Sequence, residues 1–134
     1  MFKSVLFPLD GSRESSHAAA IVANLAQTYN ARAIVLSVVE PIEEGEEVTR
    51  MNSPEAIAEL LKKAQEFFAS EGIEAEAIER EGKPAFTICD IADELDVDLI
   101  VMGSRGTGLT KEGAAESVTH LTIDLAPCPV LVVP

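Results

Sequence analysis

The apolar residues of this chain switch repeatedly between the period of a strand and that of a helix, and nothing else constrains its fold as tightly. "SVLFPL", residues 4–9, is a continuous apolar run of the kind buried on both faces of a parallel sheet. After "DGS" comes a segment that sets Ala18, Val22, Leu25, Ala26 and Tyr29 on one helical face, with Ser12 as its N-cap. "AIVLSVVE", 33–40, predicts a second buried strand, and the acidic stretch 41–53, broken by Gly45, reads as a loop. Residues 53–72 predict a helix from an N-cap at Ser53 and Pro54 at the first helical position. That helix stacks Ile57, Leu60, Leu61, Ala64 and Phe68 on one face and stops at Gly72.

The second half repeats the pattern. "IEAEAIER", 73–80, alternates apolar and charged residues as an edge strand half open to water would. Residues 84–95 form a helical pattern with Ala85, Ile88, Cys89, Ala92 and Leu95 facing inward. "DLIVMG", 98–103, is a buried strand, 115–126 a short helix and "PVLVVP", 129–134, a last strand. Five strands thus alternate with four helices, without internal repeats. Right-handed crossovers put helices on both faces, and the polar third strand belongs at one edge. The expected fold is α/β, a three-layer doubly wound five-stranded parallel sheet of order 3-2-1-4-5. The 134 residues form one expected domain, 1–134. Ligands of such sheets sit outside the carboxyl ends of the strands at the switch point, here the first and fourth, which brings Asp10 beside Gly103.

Charge excludes some partners. The 23 acidic residues outnumber the 10 basic ones, for a formal net charge of −13. Residues 1–39 hold two acids and three bases, 40–81 thirteen and four, and 82–134 eight and three. A surface of that sign repels phosphate backbones and anionic lipid, so neither nucleic acid nor a membrane is expected as a partner. Cys89 and Cys128 lie in apolar runs without metal or redox spacing and read as small buried hydrophobes of a reducing compartment. No apolar run reaches about 18 residues and the N-terminal one is too short for a signal peptide, so a cytoplasmic protein is expected.

The apolar edge "VLVV" would pair with other chains unless it were closed. A two-fold homodimer through strand 129–133 closes it; loops covering the edge would also do so.

Between the fourth strand and the fourth helix stands "GSRGTGLTKEGAAES". Glycines permit close approach, free N–H groups and the helix dipole attract an anion, Ser117 adds a hydroxyl, and Arg105 adds positive charge. A long connecting turn would use the same residues. A Walker A string is absent. A dinucleotide fingerprint would need glycine where Lys111 stands, and after the first strand instead of the fourth.

"VLFPLDGS", "SVVEP", "DLIVMGSRG" and "APCPVLVVP" together resemble the universal stress protein family over essentially the whole chain. The resemblance implies the adenine nucleotide alpha hydrolase-like fold, a dimer through the last strand and, in many members, bound ATP or another adenine nucleotide. Other members bind none. Carried over, it puts Asp10 near the adenosine with Pro8 beneath it, and Val38 against the adenine through its backbone. It gives Met102, Gly103, Arg105 and Gly106, then Ser117, Val118 and Thr119, to the rest of the nucleotide site. The family's loop reads Gly, two residues, Gly, nine residues, then Gly before Ser or Thr. Here the third glycine is Glu116.

A carboxylate there adds negative charge beside phosphate oxygens. Like charges about 4 Å apart cost roughly 1 kcal/mol in water and about 4 at an effective dielectric near 20. At about 1.4 kcal/mol per tenfold, binding would weaken by one to three orders of magnitude. Glu116 turned to solvent would instead complement the helix dipole, and Mg²⁺ or Mn²⁺ bridging it to the phosphates would make a metal site that exists only with nucleotide.

Catalysis needs a nucleophile or base with an orienting partner, and none stands out. His17 and His120 are isolated on helices, Asp10 suits a ribose or a turn, and Cys89 faces inward. The chain reads as a non-enzyme with at most slow incidental ATP hydrolysis. It is then either a nucleotide-binding stress-response regulator, reporting through a surface such as loop 41–53 to an unknown protein partner, or a nucleotide-independent dimeric interaction or stress-protective module.

Overall fold

The computed structural model describes residues 1–9, 14–40, 54–103 and 114–134. The expected caps Ser12 and Ser53, the loop 41–53, and the expected site residues Asp10, Arg105 and Gly106 lie outside them. The elements run β1 (Ser4–Pro8), α1 (Glu14–Tyr29), β2 (Arg32–Val39), α2 (Pro54–Ser70), β3 (Ala75–Glu81), α3 (Pro84–Glu94), β4 (Leu99–Gly103), α4 (Ala114–Leu125) and β5 (Val130–Val133). All pairings are parallel, in the order β3-β2-β1-β4-β5. The expected topology is therefore the one observed, with element ends displaced by one or two residues.

Alternation along each strand splits the core in two. Val5, Phe7, Leu9, Ala33, Val35, Leu99 and Val101 face α1 and α2, where Ala18, Val22, Ile57, Leu61 and Phe68 meet them. Leu6, Ile34, Leu36, Ile100 and Met102 face the other layer and pack on Ile88, Ile91 and Ala92 of α3 and Val118 of α4. Burying each such aliphatic side chain contributes about 1.5–3 kcal/mol, so the two layers rather than the surface charges hold the sheet. The aromatic pair Phe7 and Phe68 meets edge to face, ring centroids 6.4 Å apart, between β1 and α2.

Three helices end alike. Asn30, Gly72 and Asp96 take positive φ of 52°, 77° and 51°. The N–H of the following residue then reaches back to the final turn: Ala31 to Ala26, Ile73 to Phe68 and Val97 to Ala92. This closure satisfies carbonyls that a helix end leaves bare and turns the chain sharply into the next strand. It keeps the amino edge of the sheet short, where the Asp98 carboxylate accepts from the N–H groups of Lys3 at 2.7 Å and Ser4 at 3.1 Å.

Two details depart from expectation. Tyr29, placed on the inner face of α1 by its period, is 44% exposed and stands edge-on to Phe2. It is the last residue of the helix, where the chain is already leaving the core. On α3 the buried face is wider than its five expected positions, because Ile91 and Thr87 are buried as well.

Candidate functional site

The carboxyl ends of β1 and β4 flank the point where strand order reverses, the place where a doubly wound sheet takes its ligand. The N–H of Leu9 donates to Leu36 of β2 at 2.8 Å. Alternate N–H groups of a strand point to opposite neighbours, so the nitrogen of Pro8 faces β4, and proline has no hydrogen to give. The β1–β4 register runs through Val5↔Leu99 and Leu6↔Ile100, ahead of Pro8. A proline at the end of a central strand thus costs no bond to β2 and lets β1 and β4 part where a ligand would enter.

Several expected site residues gather at that end. Pro8 is half-buried as the last residue of β1. Val38, near the end of β2, packs with Val118 against the cluster that contains Met102. Met102 is only 5% exposed, so its side chain is a wall and its backbone the part able to meet a ligand. Gly103 closes β4. The backbone of Glu116 and Ser117 lies in the first turn of α4, whose N–H groups form the positive end of that helix.

Sequence reasoning did not foresee the task of the two buried threonines of α4. The Thr119 hydroxyl donates to the carbonyl of Gly103 at 3.2 Å, and the fully buried Thr122 hydroxyl donates to the carbonyl of Val118 at 2.7 Å. Polar residues three apart on an otherwise apolar helical face were the available signal. Cys89 of α3 sits against the same helix, its thiol 3.8 Å from the carbonyl of Thr122. Burial pushes the Cys89 thiol up from its ordinary pKa, with Asp90 adding to the effect. Cys128 is raised too, by burial and then by Cys89 and Asp98, against a lowering hydrogen bond with the backbone of Ile100. Both are free thiols held protonated at neutral pH, a state unsuited to nucleophilic attack.

Among the described residues no three His, Cys, Asp or Glu side chains gather as metal ligands. Among the same residues no helix is long and apolar enough to cross a membrane.

The class of protein that this sheet order defines is confirmed by solved structures. The chain superposes with a TM-score of 0.83 on hypothetical protein MJ0577, at 29% identity, over 99% of this chain and 96% of that one. A universal stress protein solved in complex with cAMP gives a TM-score of 0.77 at 24% identity, covering 99% of this chain and 97% of the other; a likeness that distant carries the fold and not the ligand. The family model for the universal stress protein family matches residues 1–134. Universal stress protein Sll1654 of Synechocystis is 57% identical over 100% of this chain and 87% of its own length. The chain belongs to the universal stress protein family.

Proposed function

We propose that this protein is a non-enzymatic stress-response regulator that binds an adenine nucleotide, ATP or AMP in type, through a phosphate loop whose third glycine is Glu116. The observation that carries the reading is that Pro8, Val38, Met102 and Gly103 stand at the carboxyl ends of β1, β2 and β4, the strands at and beside the switch point, and that α4 begins after β4. That is where a doubly wound sheet takes its ligand and where a helix N-terminus favours phosphate. Asp10 would hold the ribose, the backbone of Val38 the adenine, and Gly103, Arg105, Gly106, Ser117 and Val118 the phosphates or their immediate surroundings. A divalent cation, Mg²⁺ or Mn²⁺, would enter only with the nucleotide, held by phosphate oxygens and Glu116. Members of this fold bind such ligands elsewhere, as the cAMP complex shows for that protein.

The regulator would act as a homodimer through β5. Support comes from the contrast between the two edges of the sheet. β3 carries exposed Glu76, Glu79, Arg80 and Glu81, which discourage pairing with another chain. β5 offers Leu131, 39% exposed, and α4 beside it offers Leu121, Ile123 and Leu125. A second copy related by a two-fold axis would cover both apolar surfaces at once.

A second reading rests on Glu116 itself: a carboxylate where the family's loop needs glycine suits a nucleotide-independent interaction or stress-protective module. Saturation-transfer NMR on the purified protein with ATP, ADP and AMP separates the two. Transfer to the adenine protons, absent when the protein is omitted, is expected for the regulator. No transfer up to millimolar nucleotide, with or without Mg²⁺, would leave the second reading standing.

A further inference from the structure

Thr119 sits in the first turns of α4, 5% exposed, with its hydroxyl directed across sixteen residues of sequence to the carbonyl that ends β4. A threonine hydroxyl has one proton and otherwise only lone pairs. An ionised phosphate offers only acceptors. While the proton of Thr119 is given to Gly103, none remains for a phosphate oxygen, so the residue is poorly suited to the ligand contact that motif matching gives it.

The surroundings suit another task. Val118 and Met102 pack in the same core cluster, so apolar contact and hydrogen bond join the start of α4 to the end of β4 side by side. One turn on, the carbonyl of Thr122 receives the N–H of Ala126 and faces the thiol of Cys89, which ties the helix to α3 as well. We propose that Thr119 is a positioning residue: it clamps the second turn of α4 to the end of β4 and thereby fixes where the positive end of that helix stands at the switch point. The effect on nucleotide affinity rests on the nucleotide reading above; the clamp itself does not.

The test uses the full chain, isotopically labelled and free of nucleotide, as wild type, Thr119→Val and Thr119→Ser. In the valine variant the Gly103 carbonyl carbon signal is expected to move upfield, and amide exchange at residues 118–120 to quicken about fivefold, the population change worth one neutral hydrogen bond. Serine should restore both. ATP affinity should fall about fivefold to tenfold with valine and return with serine. If the nucleotide-free signals of Thr119→Val match wild type while only its affinity drops, Thr119 is a ligand contact and the proposal is overturned. If the free-state signals move as expected while no variant binds nucleotide, the clamp stands and it is the nucleotide reading that fails. Should valine prevent folding, the wild type decides alone: a slowly exchanging Thr119 hydroxyl proton close to Gly103 supports the clamp, and a rapidly exchanging one overturns it.

Discussion

Gly82 links β3 to α3 with φ of +154°, and its N–H donates to the carbonyl of Val39 at 2.9 Å. A Cβ at this position would run into the hydroxyl of Thr87, a buried residue in the first turn of α3, so one of the two would have to shift. Gly82→Ala therefore combines backbone strain with a clash and should lower stability by about 1–3 kcal/mol, read as a fall of several degrees in the thermal midpoint. An unchanged midpoint would mean that the β3–α3 turn relaxes freely. Little of this was legible beforehand, since a glycine between a strand and a helix is the commonest of turn signals. The approach of Thr87, which only the packed structure brings near, is a second reason for glycine beside its unusual φ. Glu116 is the opposite case. Its place in the expected nucleotide loop follows from the family resemblance, whose motif puts glycine there, and its physical consequence, charge beside charge, needs no coordinates.

Elements were read well where burial dictates period. β1, β2 and β4 are sealed on both faces and wrote themselves as unbroken apolar runs; β3 lies at an edge and alternates. The ends of helices were less visible. Gly72 announced a stop, whereas Asn30 and Asp96 do the same work in the left-handed conformation, at a steric cost that glycine would avoid. α4 shows a different limit: its period located the inner face but not the hydrogen bonds that Thr119 and Thr122 make there. The two outer strands lead to a prediction at this scale. A dimer joined along β5 should be lost in Leu131→Glu, because a two-fold axis brings the new carboxylate near its own copy. Sedimentation velocity is expected to show a dimer for wild type and a monomer for the variant. A wild-type monomer, or a variant dimer, would remove β5 from the interface.

Across the whole molecule the titrating groups set opposite pH limits. Glu76 is held below the ordinary carboxylate range by its hydrogen bonds with Arg32, which is raised in turn. Stability from that pair is present above the unfolded carboxylate pKa and lost as pH falls through the folded one. Both partners are about half exposed, so the contribution is small. The thiols act at the other end. Cys89 and Cys128 are raised in the folded state, so the stability linked to them is complete below the unfolded thiol pKa and lost as pH climbs beyond it. The thermal midpoint is expected to decline from about pH 8 to 10, and the double variant Cys89→Ala, Cys128→Ala to decline less steeply from its lower start. Parallel slopes would show that the thiols do not titrate with unfolding.

The net charge of −13 bears on the proposed nucleotide binding too, because an anionic ligand would meet an anionic protein and would need local positive groups such as the start of α4 to overcome the repulsion. Calorimetric titration of nucleotide-free wild type and Glu116→Gly with ATP, with and without Mg²⁺, bears most directly on the central claim. The expected result is weak binding by wild type and a gain of about one to three orders of magnitude in the glycine variant, the range set by one carboxylate near phosphate. Equal affinities without metal, or no binding by either protein, would contradict it.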